Sequence, residues 1–467
     1  MIVMKFGGTS VQDGPAMRRA VEIIESEKDR RPLVVSSAIA GATDALLRMG
    51  QIALSGDTRA AQEILSELVS RHRWILFELG LEKAAERDLA DLIARYAEEL
   101  GNFTRGVVLL RELTPRIQDA LVGYGERLAV SLLTAAARAR GLDAVHVDAR
   151  EVMLTDTRFG KARPEREKLP ERCREKIAPI VESGKVPIVE GFVGSTSDGE
   201  PTTLGRGGSD FTASLFGAAL EAEEIQIWTD VDGMLTADHR LVPEGMKIRE
   251  LSFAEAAELA YFGARVLHPS TIEPAVSQDI PVRILNSRRP GASGTTIAPR
   301  CRKTGVAVKS IAAKKGIVVI DVKAHRMLMA HGFLKSMFEV FDRLEVPVDL
   351  VSTSEVSVSL TVDSVERLAD VVEELSAFSE VTVEKDCAIV CLVGEELRST
   401  PRIASRVFTA LGEINVRMIS QGASEMNLSL VVREGDADHA VRKLHAEFFE
   451  GIDLPEVFEA VNREAVT

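Results

Sequence analysis

The first 300 residues carry six short runs that are apolar almost throughout: Ile2–Phe6, Pro32–Ser36, Ala144–Val147, 186–189, 225–228 and 281–285. A half-exposed strand alternates apolar and polar residues. A run that is apolar on both parities needs cover on both faces. Helical stretches separate the runs. One covers 125–140 and stops at Gly141, a residue type that closes helices in the left-handed conformation. Another opens at Ser252 with Glu255 three residues later, a capping box, and continues through AEAAELAYF. This alternation predicts an α/β domain over residues 1–300, three layers deep, around a mainly parallel sheet. Residues 56–120 interrupt it. They are rich in Ala, Leu, Glu and Arg, contain no strand pattern, and read as a helical insertion with solvated charged faces.

At 288–294 the sequence RRPGASG is turn-rich and breaks the pattern. Beyond it the chain repeats itself. VPVDLVSTSEVSVSLTV at 346–362 returns as INVRMISQGASEMNLSLVV at 414–432, with Ser354-Glu355 and Ser359-Leu360 recurring 70 residues later. Helical patterns at 331–344 and 400–411 precede these hairpins, and others at 364–376 and 436–449 come after them. Each copy reads strand–helix–strand–strand–helix–strand. That predicts two ferredoxin-like α+β modules in tandem, 301–385 and 386–467.

Composition narrows the function. Lys plus Arg is 57 and Asp plus Glu is 71, a net charge of −14, which argues against a nucleic-acid or polybasic membrane surface. No apolar run approaches the roughly 18 residues that span a bilayer, and MIVMKFGG lacks the layout of a signal peptide. The four cysteines are too few for a disulfide scaffold. Cys387 and Cys391 sit four apart on one face of an expected strand and read as buried thiols, so a reducing cytoplasm is the expected compartment.

Three motifs carry chemistry. In MIVMKFGGTSV an apolar strand ends at Lys5, followed by Gly7 and Gly8. Glycines let backbone amides approach a phosphate, and a lysine beside them supplies a point charge. A strand with a tight turn and a snorkelling lysine has the same residues, so both readings stand at this point. In GRGGSDFTASL, Ser209 or Asp210 opens a helix after a glycine turn that carries Arg206. Asp210 is either a helix cap or a site acid, and Arg206 has the donor geometry for a carboxylate. In IWTDVDG, Asp230 and Asp232 come after a strand at its carboxyl end, where open α/β sheets bind ligands. No GxxxxGK[ST] loop, HRD or DFG occurs, and GRGGSD is not a dinucleotide fingerprint.

KFGGTSV, VSSAIAGATD, GYGERL, GRGGSDFTA, WTDVDG, LSFAEAAELAYFGARVLHP and the two C-terminal modules, in this order, resemble the aspartate kinases. These have an amino acid kinase fold and two regulatory ACT domains. The helical insertion is similar to that of the lysine-sensitive, monofunctional type. The resemblance implies transfer of the γ-phosphoryl group of ATP to the β-carboxylate of L-aspartate, the first step toward lysine, threonine and methionine, with Mg²⁺ carried by ATP. It implies Lys5 and Asp210 as catalytic, and Lys5, Gly7, Gly8, Thr229 and Asp230 at ATP. Ser37, Thr43, Glu126, Arg206 and Ser209 would hold aspartate, with Glu126 on its ammonium group and Arg206 on its α-carboxylate. Leu235, Arg240, Arg265 and Val266 fall at further nucleotide positions. Of these, Leu235 stands where the family has tyrosine and Arg265 where it has lysine, while His239 replaces the proline of a DPR. No separate metal site is implied, and His268 is given no role as a base.

The resemblance also implies feedback inhibition by an amino acid, with Met327, Gly332, Phe333, Asp349, Thr353, Ser354 and Glu355 at the effector. Met329 and Ala330 replace the histidine and serine of the lysine-sensitive type, and lysine is favoured over threonine. Assembly through the ACT modules into a homodimer or larger homo-oligomer is expected. The rival readings are a related kinase with another acceptor and a silent amino-acid sensor. Retention of Lys5, Glu126, Arg206 and Asp210 opposes the second.

Overall fold

The computed structural model describes residues 1–263, 269–301, 304–323, 332–363, 366–452 and 454–460. The chain divides into two units, Met1–Gly233 with Val266–Arg300, and Met234–Arg265 with Cys301–Thr467. Residues 234–265, expected in the first domain, therefore group with the C-terminal part.

All six expected strands form in the first unit: β1 (Ile2–Phe6), β2 (Pro32–Ser36), β3 (Ala144–Val147), β4 (Val186–Glu190), β7 (Glu224–Thr229) and β10 (Val282–Asn286). A small hairpin, β5 (Val193–Ser195) and β6 (Pro201–Thr203), stands apart from them. The sheet order is β3-β4-β2-β1-β7-β10, all parallel, and β11 (Thr295–Ala298) then returns antiparallel to β10. The turn-rich stretch at 288–294 is thus a hairpin turn inside this unit and not its end.

The insertion is helical as expected. The helices α1 (Gly14–Ser26), α2 (Ala42–Ser55), α3 (Thr58–Leu79), α4 (Lys83–Leu110), α5 (Pro115–Val122) and α6 (Tyr124–Ala139) succeed one another along the chain, with β2 between α1 and α2. Their apolar faces share one core with Ile2, Met4, Phe6, Val34 and Ile188. The insertion is therefore an extension of the main core and not a separate subdomain. Beyond α7 (Leu169–Lys176) and α8 (Ala178–Glu182), α9 (Gly208–Ala219) meets the other parity of β1, with Gly217 against Val3 and Ile225. A Cβ at Gly217 would lie 2.6 Å from Ile225 Cδ1, so glycine lets α9 approach this closely without displacing the Ile225 side chain.

In the second unit β8 (Lys247–Ile248) and β9 (Glu250–Ser252) precede α10 (Phe253–Tyr261), which opens with the expected Ser252–Glu255 capping box. α11 (Pro269–Ser277) belongs to the first unit. The repeat region forms one six-stranded sheet, β13 (Val351–Thr353), β14 (Ser357–Val362), β12 (Ser310–Lys323), β15 (Glu380–Val393), β17 (Asn427–Arg433), β16 (Met418–Gln421), in that spatial order. Four helices belong to it: α12 (Phe333–Arg343), α13 (Leu368–Ser376), α14 (Ile403–Leu411) and α15 (Glu434–Phe449).

Two expectations are corrected here. The boundary at 385/386 falls inside β15, a continuous strand. Among the described residues, no strand after α15 completes the sheet of the second copy. The place of such a strand beside 388–393 is taken by 310–315, the first half of β12. The strand after α15 is instead β18 (Phe458–Glu459), which pairs with β8. Cys387 and Cys391 are buried free thiols on β15, as expected. Among the described residues, no helix is long and apolar enough to cross a membrane.

Candidate active site

The period of two along β1 decides what Lys5 meets. Ile2, Met4 and Phe6 face the helical core, so Lys5, like Val3, faces α9. Asp210 precedes Gly217 by seven residues and lies on the same face of α9. The result is an ion pair, Lys5 Nζ to Asp210 Oδ1 at 2.6 Å, with side chains only 10% and 14% exposed. Gly207, in the left-handed region with φ 71°, caps α9 without any side-chain hydrogen bond. Asp210 therefore sits inside the first turn and is free to pair with Lys5. Asp210 is thus not the cap of α9 but the partner of Lys5.

After Phe6, Gly7 N–H donates to Trp228 O at 3.0 Å, prolonging the β1–β7 pairing by one residue. The Gly7 amide, expected at ATP, is thus engaged in the sheet. The amides of Gly8 and Thr9 donate to nothing among the described residues. An amide turn for an anion thus starts at Gly8.

Lys5, Gly8 and Asp210 line a cleft of about 620 Å³. Five residues expected at aspartate line the same cleft: Ser37, Thr43, Glu126, Arg206 and Ser209. Glu126 comes from the first turn of α6 and is 3% exposed. Its Oε2 has no hydrogen-bond partner. Burial pushes its carboxyl up to about 8, against the backbone amides of Ala38 and of Glu126 itself, and nearby Glu190 adds to the rise. Arg206 is exposed on the loop before α9 and makes no ion pair among the described residues.

Other expected residues lie elsewhere. Thr229 ends β7, Asp230 comes directly after it, and neither lines this cleft. The Thr229 carbonyl accepts from Ser287 N at 2.8 Å, and Asp230 is exposed. Asp232 is already engaged: it pairs with Arg289 and accepts from Asn286 Nδ2 at 2.8 Å. Leu235 and Arg240 fall in the second unit, where Arg240 closes a two-pronged pair on Asp238, Nε to Oδ1 at 3.0 Å and Nη2 to Oδ2 at 2.6 Å. Arg265, Val266 and His268 lie outside the described residues, as do Met327, Met329 and Ala330.

The expected effector residues that are described belong to the second unit. Asp349 has a side chain only 2% exposed, yet it is not vacant. Its Oδ1 accepts from Lys314 Nζ at 2.8 Å and from Tyr261 Oη at 2.7 Å, while its Oδ2 is buried without a partner. Lys314 also reaches Asp363 at 3.0 Å. Gly332 caps α12, and Phe333 stands edge-on to Phe378. Thr353, Ser354 and Glu355 are exposed at and after the edge strand β13. The motifs missed Asp119, Gly160 and Thr203, which also line the cleft. A detectable signal for Asp119 was an acid leading directly into Ala-Leu-Val in a helical run.

Comparison with known proteins shows the family. The chain matches the amino acid kinase family over residues 1–286 and an ACT domain over 390–448. It is 38% identical to lysine-sensitive aspartokinase 3 of Escherichia coli over 460 residues, 96% of this chain and 99% of that one. It is also 38% identical to aspartokinase 1, chloroplastic, of Arabidopsis thaliana, over 97% of this chain and 81% of that protein. The crystal structure of E. coli aspartokinase III with aspartate and ADP, in the R-state, superposes with a TM-score of 0.86 at 37% identity, covering 96% of this chain and all of that one. The T-state structure of the same enzyme with lysine and aspartate gives 0.79 at 38% identity, with the same coverage.

Proposed function

This chain belongs to the amino acid kinase family and to its aspartokinase members, and from that premise we propose that its cleft transfers the γ-phosphoryl group of ATP to the β-carboxylate of L-aspartate, giving 4-phospho-L-aspartate. One observation carries the reading. A single cleft brings the Lys5–Asp210 pair and a free amide turn together with a buried carboxyl group, Glu126, whose Oε2 has no partner, and a guanidinium, Arg206, without an ion pair among the described residues. The first set suits a phosphate. The second suits the ammonium and α-carboxylate of an amino acid, leaving its side-chain carboxylate as acceptor.

No general base is needed, because a carboxyl group of ordinary pKa, about 3.9, is ionised at neutral pH. The obstacle is the approach of two anions. Like charges about 4 Å apart repel by roughly 4 kcal/mol at an effective dielectric of 20. Lys5 and the amides of Gly8 and Thr9 offset that repulsion and the charge of the transition state. Asp210 holds Lys5 in place. Among the described residues no cluster of His, Cys, Asp and Glu could cage a metal. Mg²⁺ would arrive on ATP oxygens, need only one or two protein carboxylates and supply charge neutralisation when bound. Asp210 is the carboxylate of the cleft that would help to hold it.

The test is an acyl-phosphate trap with hydroxylamine, run with aspartate, glutamate and acetylglutamate as acceptors. Aspartate-specific hydroxamate is expected, and turnover of another acceptor in its place would replace the reading by that of a sister kinase. Within it, Arg206→Ala is expected to raise the aspartate KM by about tenfold or more, in line with loss of a charge-assisted pair. The ATP KM should stay put, and steady-state kinetics with each substrate varied checks this.

Regulation obeys the same logic. Lysine is the proposed inhibitor, with its ammonium group on the free Oδ2 of Asp349, and a homodimer through the ACT modules is the proposed assembly. Asp349→Asn is expected to move the half-inhibitory lysine concentration up by about tenfold or more, since typical couplings are about 1–3 kcal/mol. Uninhibited turnover should change little. Unaltered lysine inhibition in that variant would remove Asp349 from the effector site. The four unpaired cysteines suit a reducing compartment such as the cytoplasm.

A further inference from the structure

One buried acid outside the sequence motifs ties the cleft together. Asp119, in α5, is 3% exposed. Its carboxylate accepts three hydrogen bonds: Oδ2 from the backbone amides of Gly160 at 2.8 Å and Thr203 at 2.9 Å, and Oδ1 from the Thr203 hydroxyl at 2.6 Å. Burial pushes its pKa up, while those three donors pull it back toward the ionised form.

The two segments that Asp119 joins are neighbours in the cleft wall. Ala162 N donates to Thr203 O at 2.9 Å. Gly205, at φ 78°, comes so close to Gly160 that a Cβ there would lie 3.2 Å from the Gly160 carbonyl oxygen. Arg206 is the next residue. In the other direction the chain runs from Asp119 through Gly123 into α6, whose first turn carries Glu126. A single buried carboxylate therefore anchors the helix corner that presents Glu126 and the loop that presents Arg206.

We propose that Asp119 is a positioning residue for aspartate, fixing Arg206 relative to Glu126 so that the α-carboxylate and the ammonium group are gripped together. The proposal rests on the reading of Arg206 and Glu126 given above. Asp119 acts through the Thr203–Gly205 backbone and carries no reacting atom. A carboxylate suits this task because two backbone N–H groups and a hydroxyl all need an acceptor, which an amide provides on only one of its two atoms.

The experiment is a double-variant cycle in the full-length enzyme. Asp119→Asn is expected to raise the aspartate KM by about tenfold, with kcat and the ATP KM changed by no more than about twofold. In an Arg206→Ala background the same substitution should add almost nothing, because the two act on one contact. L-Aspartate α-amide, which lacks the α-carboxylate charge, should bind equally to the parent enzyme and to Asp119→Asn, read as substrate or as competitor. Thr203→Val keeps both backbone bonds and should show a smaller KM rise, about threefold, even where Asp119→Asn fails to fold. Penalties that multiply in the double variant, or a loss carried over in full to the α-amide, overturn the proposal. If Arg206→Ala leaves the aspartate KM unchanged, the reading of Arg206 falls, and the proposal with it.

Discussion

Lys5→Ala is expected to lower kcat by about 10²–10³-fold or more, the scale set by removing one preorganised charge from a site where charge develops. The same change strands Asp210, whose side chain is only 14% exposed. Removing one member of a buried pair costs about 3–5 kcal/mol, and the residual exposure here puts the cost at or below the lower end. Activity and stability therefore need separate readouts. Thermal melting should show a lowered midpoint for Lys5→Ala. A second variant, Lys5→Met with Asp210→Asn, should recover much of that midpoint by leaving no bare charge. Its turnover should stay as low as that of Lys5→Ala. Recovery of turnover along with stability would mean that Lys5 is only a structural partner of Asp210.

The second large effect is at Glu126. Glu126→Gln keeps the shape and removes the charge, and it should raise the aspartate KM by about 30-fold or more, given about 2–5 kcal/mol for truncating one side of a buried charge pair. The parent enzyme adds a pH signature. Its free carboxyl is held at about 8 chiefly by burial, so near neutrality Glu126 is largely protonated before substrate arrives. An ammonium group selects the ionised form. Aspartate binding should then release a proton below about pH 8, and the apparent KM should fall as pH rises toward that value. Both features should vanish in Glu126→Gln. The sign for stability is opposite. The folded value lies above that of an unfolded carboxyl, so the folded state binds more protons between the two. The ligand-free enzyme loses stability as pH rises from the ordinary carboxylate range through about 8, and the loss levels off above it. Aspartate should offset this, giving a larger melting shift at about pH 9 than at about pH 6. Melting curves at several pH values, with and without aspartate, check it. A KM flat across this range would sink the assignment.

Much of this was legible in the residues. The six strands were visible because burial on both faces leaves an unbroken apolar run, but for the same reason the run did not say which face Lys5 takes. The partner of Lys5 was less accessible. Asp210 reads as a cap by position alone, and only the left-handed Gly207 reveals that the helix begins earlier. The engagement of the Gly7 amide was not legible, because a glycine's freedom says nothing about whether its amide is already hydrogen-bonded across the sheet. Asp349 was seen as an anchor for a cation, but its occupation by Lys314 joins residues 35 apart in the chain and leaves no local trace. Asp119 was missed for a similar reason, since its partners at Gly160 and Thr203 are 41 and 84 residues away.

The shared β12–β15 ladder has a practical corollary for protein engineering. Because 310–315 completes the sheet beside 388–393, the half that reads as C-terminal owns a piece of chain lying ahead of the other half. A hybrid made by one crossover between two homologues would mate strands of different parentage at that seam. Transplanting either half intact requires two junctions, one near Gly316 and one near Asp386, where the ladder shifts register.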